Sequence, residues 1–237
     1  MRVAALYVYP VKACRAVALD EATLDALGLE GDRRFAFVGD DGRALTQRDV
    51  SSLATISPRT DGAAIHLDLG GLAQFSVPLA SFDQESSADV WGKLVPARAA
   101  PRNLVAAAAD YLGIALRLVM LDPRAERAFV DSRPVLVTTT GMLAELGLPG
   151  IGMERFRPNV VLEGAQPWTV LRGEQTLLER DKACGRCEVT TIDQTSGARR
   201  GPEPLRTLNE RHGGNFGVYC RVARAGRLRR GATLHAF

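Results

Sequence analysis

Ala183-Cys184-Gly185-Arg186-Cys187-Glu188-Val189-Thr190-Thr191-Ile192-Asp193 is the run on which the reading of this chain turns. Two cysteines three positions apart admit four chemistries. Half of a structural zinc site needs two further ligands, but there is no second such pair, and His66, His212 and His235 share no ligand spacing. A dithiol redox pair usually opens a helix after a strand, whereas β-branched residues follow here and predict a strand over Glu188 to Ile192. Two small buried hydrophobes are the third possibility. The fourth is one thiolate holding a soft metal, with neighbours in support. Arg186 suits that last reading, because a guanidinium favours the thiolate and can also grip an anion bidentately.

Around this run the chain reads as strands. Pro134 to Thr138, Asn159 to Leu162, Gly217 to Val222 and Gly231 to His235 are predicted strands. Short helices are expected over Met142 to Leu146 and over Glu203 to Arg211, where Pro204 suits a first turn and Leu205 and Leu208 share one face. Upstream, Asn103 to Leu112 is the clearest helix, capped by Asn103 and stopped by Gly113. Before it come Val3 to Tyr9, Arg34 to Val38 with a Gly39-Asp40-Asp41-Gly42 hairpin turn, Ala44 to Thr46, Ile65 to Leu69 in period two, and Phe75 to Leu79. This cadence predicts an antiparallel barrel or sandwich, mainly β with some α, in two closely packed parts. The helix after residue 100 divides them, at 1–100 and 101–237.

Composition bounds the function. Of 237 residues, 46% are apolar and 24% charged, enough for a packed core and too apolar for disorder. The net charge is only +3, from 30 basic and 27 acidic side chains, which argues against a nucleic-acid partner. The N-terminal run is not a signal peptide and no apolar run is long enough to cross a bilayer, so a cytoplasmic protein without a membrane anchor is expected. Arginines between Arg221 and Arg230 alternate with apolar residues and glycines, as in a solvated rim or a docking face for an acidic protein.

The run C-x-R-C-x-x-T-T-[IV]-D at 184–193 resembles the signature of the MOSC family, the domain type that ends molybdenum cofactor sulfurases and builds the amidoxime-reducing components. Further segments match in order: Tyr9-Pro10-Val11-Lys12-Ala13-Cys14, Gly31-Asp32-Arg33-Arg34-Phe35, Thr46-Gln47-Arg48, Arg155-Phe156-Arg157-Pro158-Asn159-Val160-Val161, the helix after Gly201 and Phe216-Gly217-Val218-Tyr219. The resemblance implies an N-terminal β-barrel domain packed on a β-barrel-like MOSC domain, and the molybdenum cofactor, a pterin dithiolene with a phosphate tail. It implies Cys187 as the metal ligand. Lys12, Arg33, Arg157 and Asn159 are implied to hold the cofactor, with Arg48, Arg186, Thr138 and Thr139 as further candidates and Thr140 beside them. Cys187 and Asp193 are the candidate catalytic residues, Asp193 either orienting a hydrogen bond at the metal or accepting from a turn backbone. Cys184 reads as structural. One departure is Ala13, where the family carries serine.

The activity so implied is reduction of small N-hydroxylated compounds, such as amidoximes and hydroxylamino bases. Since the chain ends at Phe237 without an iron-sulfur domain, electrons are expected from a separate iron-sulfur or flavin protein. Two other functions compete: a carrier of the cofactor or of sulfur without turnover, and a β-barrel binding module without metal.

Overall fold

The computed structural model describes residues 1–237. The protein is mainly β, 41% strand and 17% helix. Its largest sheet has eight strands in the order His235–Ala236, Val170–Arg172, Leu177–Gly185, Asn215–Arg224, Val135–Thr139, Val160–Leu162, Val3–Val8, Val17–Leu19. Only the pair Val135–Thr139 and Val160–Leu162 runs parallel. A parallel pair needs a crossover, and here it contains the helix Thr140–Leu146 and the 3-10 turn Met153–Phe156. That crossover delivers Arg157 and Asn159 beside the first strand.

A four-stranded antiparallel sheet comprises Phe35–Gly39, Leu116–Leu121, Leu94–Ala99 and Gln84–Asp89, and shares a core with the sheet that contains Ala64–Leu69. Two three-stranded sheets complete the fold: Ile56–Thr60 with Ala64–Leu69 and Gln74–Pro78, and Gly226–Arg229 with Glu21–Asp25 and Gly28–Leu29. Strand order is open in every sheet. Pairing crosses residue 100 in both directions: the first strand lies in the largest sheet, and Leu116–Leu121 pairs with Leu94–Ala99. The division at residue 100 remains a proposal about sequence units.

Local patterning explains these elements. In Ala64–Leu69, Ile65, Leu67 and Leu69 are buried and alternate with outward His66 and Asp68, as period-two residues on a half-buried strand must. Phe156 and Phe216 stack with ring centroids 3.7 Å apart and, with Leu146 and Leu208, pin both longer helices of the C-terminal half.

The strand expected over Gly231 to His235 shrinks to His235–Ala236, with one isolated bridge at Thr233, and three further expectations fail locally. Ala44 to Thr46 does not restart a strand. A single bridge joins Val38 to Ala44, and then Asp49 accepts from the Thr46 amide and hydroxyl at 2.9 and 2.8 Å, drawing the chain into a turn. Asn103 caps no helix, because Arg102–Val105 is a 3-10 turn and the α-helix runs Ala106–Leu112, with Gly113 closing it in the left-handed region at φ +69°. Glu188 to Ile192 is a 3-10 turn over Glu188–Thr191 rather than a strand. The hydroxyls of Thr190 and Thr191 donate to the carbonyls of Cys187 and Glu188 at 2.9 and 2.8 Å. Hydroxyl bonds to the i−3 carbonyl overcome the strand preference of a β-branched side chain.

Candidate functional site

The strand Leu177–Gly185 ends where Arg186 N–H bonds the Gly214 carbonyl, and the chain then turns at Cys187 into the 3-10 turn. Cys187 is partly exposed, while Cys14, Cys184 and Cys220 are buried free thiols. Its sulfur faces a cavity of about 840 Å3, counting the open mouth. Lys12, Arg33, Arg48, Arg133, Arg157 and Arg186 line it, six cations against the single carboxylate of Asp131.

Arg33 and Arg157 are built into place. Both adopt left-handed backbone, φ +48° and +53°, a conformation costly for a non-glycine residue. Their guanidiniums lie over the ring of Tyr9, at 4.2 and 4.3 Å from its centroid. Tyr9 is buried, and its hydroxyl donates to the Pro158 carbonyl at 3.1 Å. Fully buried Asp32 holds Arg33 at 2.5 Å and accepts from the Tyr9 amide at 2.8 Å. Burial works against the Arg33 charge, but Asp32 outweighs it and holds the group above its ordinary value. Arg157 has no such carboxylate. Burial, and then the like charge of Arg33, push it down to about 10. It stays protonated at neutral pH, and so two cations with one counter-carboxylate share one aromatic ring. An anion placed here would offset the excess positive charge.

Arg157 is also tied to the first fifty residues through two glutamines. Its Nη1 donates to Gln194 Oε1 at 3.1 Å. Gln194 and Gln47 exchange a reciprocal pair of amide hydrogen bonds, both 2.9 Å, and Gln47 donates to the Ala13 carbonyl at 2.7 Å. Lys12 is buried and donates to the Phe129 carbonyl at 3.2 Å and to Asp131. Arg48 lies 4.8 Å from the Trp91 ring centroid and lines the same cavity as Cys187, whose proximity holds Arg48 above its ordinary value.

Arg186 meets the other cysteine. Its Nη1 donates to Cys184 Sγ at 2.9 Å and its Nη2 to the Phe156 carbonyl at 2.9 Å, while its buried Nε has no protein partner. A buried donor without a partner costs about 1–3 kcal/mol unless a ligand or solvent satisfies it. Arg186 of the cysteine run thus donates to Cys184, and both Arg48 and Arg186 line the cavity with Cys187.

The cavity gathers Lys12, Arg33, Arg48, Arg157, Asn159, Arg186 and Cys187 and leaves out Thr138, Thr139 and Asp193. Thr139 caps the helix Thr140–Leu146, accepting from the Met142 amide at 3.1 Å. Thr138 is buried with its hydroxyl against Met153 Sδ at 3.2 Å, and the Thr140 hydroxyl accepts from the Gly164 amide at 3.1 Å. These three hydroxyls have partners within the crossover, and none of the three lines the cavity. Asp193 accepts from the amides of Thr195 and Ser196, both 2.9 Å, and faces Arg200 and Arg155 at 3.5 and 3.8 Å. The Ser196 amide leads in drawing it down to about 2, against the opposing effect of burial. It braces the loop that holds Cys187. Asn159 lines the cavity, but its amide is occupied by Leu136 N–H at 3.1 Å and the Tyr7 carbonyl at 3.2 Å, tying two strands together.

Sequence reading missed Trp91, Asp131, Gln47's amide pair and Arg133. Trp91 and Asp131 lie in turns, outside every segment that carries the resemblance. The arginines of Arg221 to Arg230 are not a free basic face. Arg221 pairs with Asp181, Arg227 and Arg229 with Glu21, and Arg230 with Asp20, while Arg224 donates to carbonyls of the loop Gly173 to Thr176.

Residues 1–116 match the family model of the MOSC N-terminal beta barrel domain, and residues 124–235 that of the MOSC domain. The chain is 30% identical to mitochondrial amidoxime-reducing component 1 of Xenopus laevis, over 87% of its own length and 70% of that protein. It is 26% identical to mitochondrial amidoxime reducing component 2 of Bos taurus, over 98% of the chain and 82% of that protein. With the molybdenum cofactor sulfurase of Drosophila grimshawi it shares 29% identity over 90% of the chain but only 31% of that protein. No helix of the structure is long and apolar enough to cross a membrane. A cysteine-bearing cavity lined by cations, in a chain matched from end to end by these two domain types, belongs to a member of the MOSC family.

Proposed function

We propose that this protein binds the molybdenum cofactor and reduces N-hydroxylated compounds, amidoximes among them, with electrons from a separate iron-sulfur or flavin protein. One observation carries the reading: a single accessible thiol, Cys187, opens onto a cavity lined by six cations and one carboxylate. The donor set fits the group. A thiolate suits a soft metal centre. Arg33, paired with Asp32, and Arg157, with no carboxylate of its own, flank Tyr9 and suit a phosphate, and the unpartnered Arg186 Nε offers a further donor. Cys187 would hold the metal. Lys12, Arg33, Arg157 and Arg186 would hold the anionic tail and pterin edge.

When bound, such a cofactor supplies two electrons to the N–O bond, which with two protons yields the reduced base and water. The chain's part is to fix the cations before the ligand arrives, through Asp32, Tyr9 and the glutamine pair, so that little ordering is left to binding. Asp193 would act on the shape of the Cys187 loop, not on substrate. The relatives named amidoxime reducing components support the reductase reading. The likeness to molybdenum cofactor sulfurase supports a second one, a carrier that binds the cofactor or a persulfide on Cys187 without turnover.

The test is molybdenum and pterin stoichiometry in protein from a cofactor-competent host, for wild type and Cys187→Ser, together with benzamidoxime reduction by an artificial donor. Bound molybdenum with turnover, both lost in Cys187→Ser, is expected. Bound cofactor without turnover supports the carrier, and absence of metal and pterin overturns both.

A further inference from the structure

The hairpin between Gln84–Asp89 and Leu94–Ala99 closes through Val90-Trp91-Gly92-Lys93, with Val90 N–H to Lys93 O at 2.9 Å. Both central residues have positive φ, +57° at Trp91 and +78° at Gly92. Two-residue turns of this type favour Asn, Asp or Gly at the first position, because a Cβ there is strained. Tryptophan is among the least expected residues for it. Turn chemistry does not account for Trp91; its surroundings do.

Trp91 is 53% exposed, yet its orientation is fixed. Its Nε1–H donates to Asp131 Oδ1 at 2.9 Å, an oxygen that Lys12 also bonds. The Arg48 guanidinium covers the ring at 4.8 Å, and Arg48 lines the same cavity as Cys187. Trp91 and Arg48 line both the Cys187 cavity and an adjoining outer cleft. An oriented aromatic surface therefore stands in the passage to the only accessible thiol. It already accepts a flat N–C–N group, the guanidinium of its own chain.

Resting on the reductase reading above, we propose that Trp91 determines substrate specificity: its indole face stacks on flat, delocalised N–C–N groups such as amidoximes and N-hydroxyguanidines. The incoming group replaces Arg48 on the ring. A π face is worth this only to a planar group, so a small hydroxylamine with tetrahedral nitrogen gains nothing from Trp91.

Two measurements test it. In the cofactor-loaded protein, Trp91→Ala is expected to raise KM for benzamidoxime by about tenfold, a typical worth of one stacking contact, while Trp91→Phe retains most of the affinity. KM for a small aliphatic hydroxylamine is expected to stay within about twofold in both variants. Equal losses on both substrates, or none on either, overturn the proposal. The second readout needs no turnover. The chain has two tryptophans, and the other, Trp168, is buried in the core. Benzamidoxime titrated into the protein is expected to quench emission in wild type and not in Trp91→Phe. Quenching that persists in Trp91→Phe, or none in wild type, counts against Trp91. Absent turnover on any substrate with this quenching intact sinks the reductase reading and leaves the stacking site standing.

Discussion

Replacing Tyr9 separates the two jobs that the arginine sandwich gives it. Tyr9→Phe removes one buried hydrogen bond, the hydroxyl to the Pro158 carbonyl at 3.1 Å, and keeps the ring. A lost bond that leaves a buried carbonyl unpaired costs about 1–2 kcal/mol. Tyr9→Leu also removes the surface beneath Arg33 and Arg157, at 4.2 and 4.3 Å. A desolvated cation–π contact is worth about 1–2 kcal/mol, so two of them and the smaller side chain bring the total to about 4 kcal/mol. For a chain of 237 residues the urea slope is about 2.5 kcal/mol/M. The midpoint then falls by about 0.6 M in Tyr9→Phe and about 1.6 M in Tyr9→Leu. Tryptophan emission and far-UV circular dichroism should give the same midpoints. A double-mutant cycle of Tyr9→Leu with Arg157→Met should return a coupling of about 1–2 kcal/mol. Equal midpoints for the Phe and Leu variants, or a coupling near zero, would refute the claim that the ring holds the cations.

Other outcomes follow from the same geometry. Of the four thiols in the native protein free of cofactor, one should react quickly with a disulfide reagent and three only on unfolding, with Cys187→Ser abolishing the fast phase. Gln47→Ala leaves Gln194 without its amide partner in a buried setting and should cost about 1–3 kcal/mol in urea unfolding; it should also weaken inorganic pyrophosphate binding by calorimetry, because Arg157 is held through Gln194. Asp193 has a folded pKa of about 2, below its ordinary carboxylate value, so its contribution is present above about pH 5 and is lost as pH falls toward 2. Since the group is partly exposed, that contribution is of the order of 1 kcal/mol, and Asp193→Asn should flatten the acid limb of stability against pH by this amount.

Much of this protein is legible along the chain because it depends on neighbours in sequence. Alternation fixes the strand Ala64–Leu69, Gly113 ends a helix since only glycine enters the left-handed cap without strain, and Cys187 stands out by its spacing and surroundings. Most of the cations around the cavity are marked by the family pattern in which they occur. Tertiary structure decided the rest, because the deciding partners lie far off in sequence. Thr190 and Thr191 carry strand propensity, yet their hydroxyls close a 3-10 turn in the loop that Arg155 and Asp193 brace. Thr138 and Thr139 read as donors for a ligand, and only the fold shows their hydroxyls partnered within the crossover and off the cavity wall. The arginines of the tail read as a basic face until Asp20, Glu21 and Asp181 arrive opposite them. Trp91 and Asp131, 40 residues apart in one chain, acquire meaning only when a hairpin of the four-stranded sheet brings the indole over Cys187's cavity. Sequence patterns encode local conformation and which residue types are present; charge balance and cavity walls are sums over contacts that exist only once the sheets have packed.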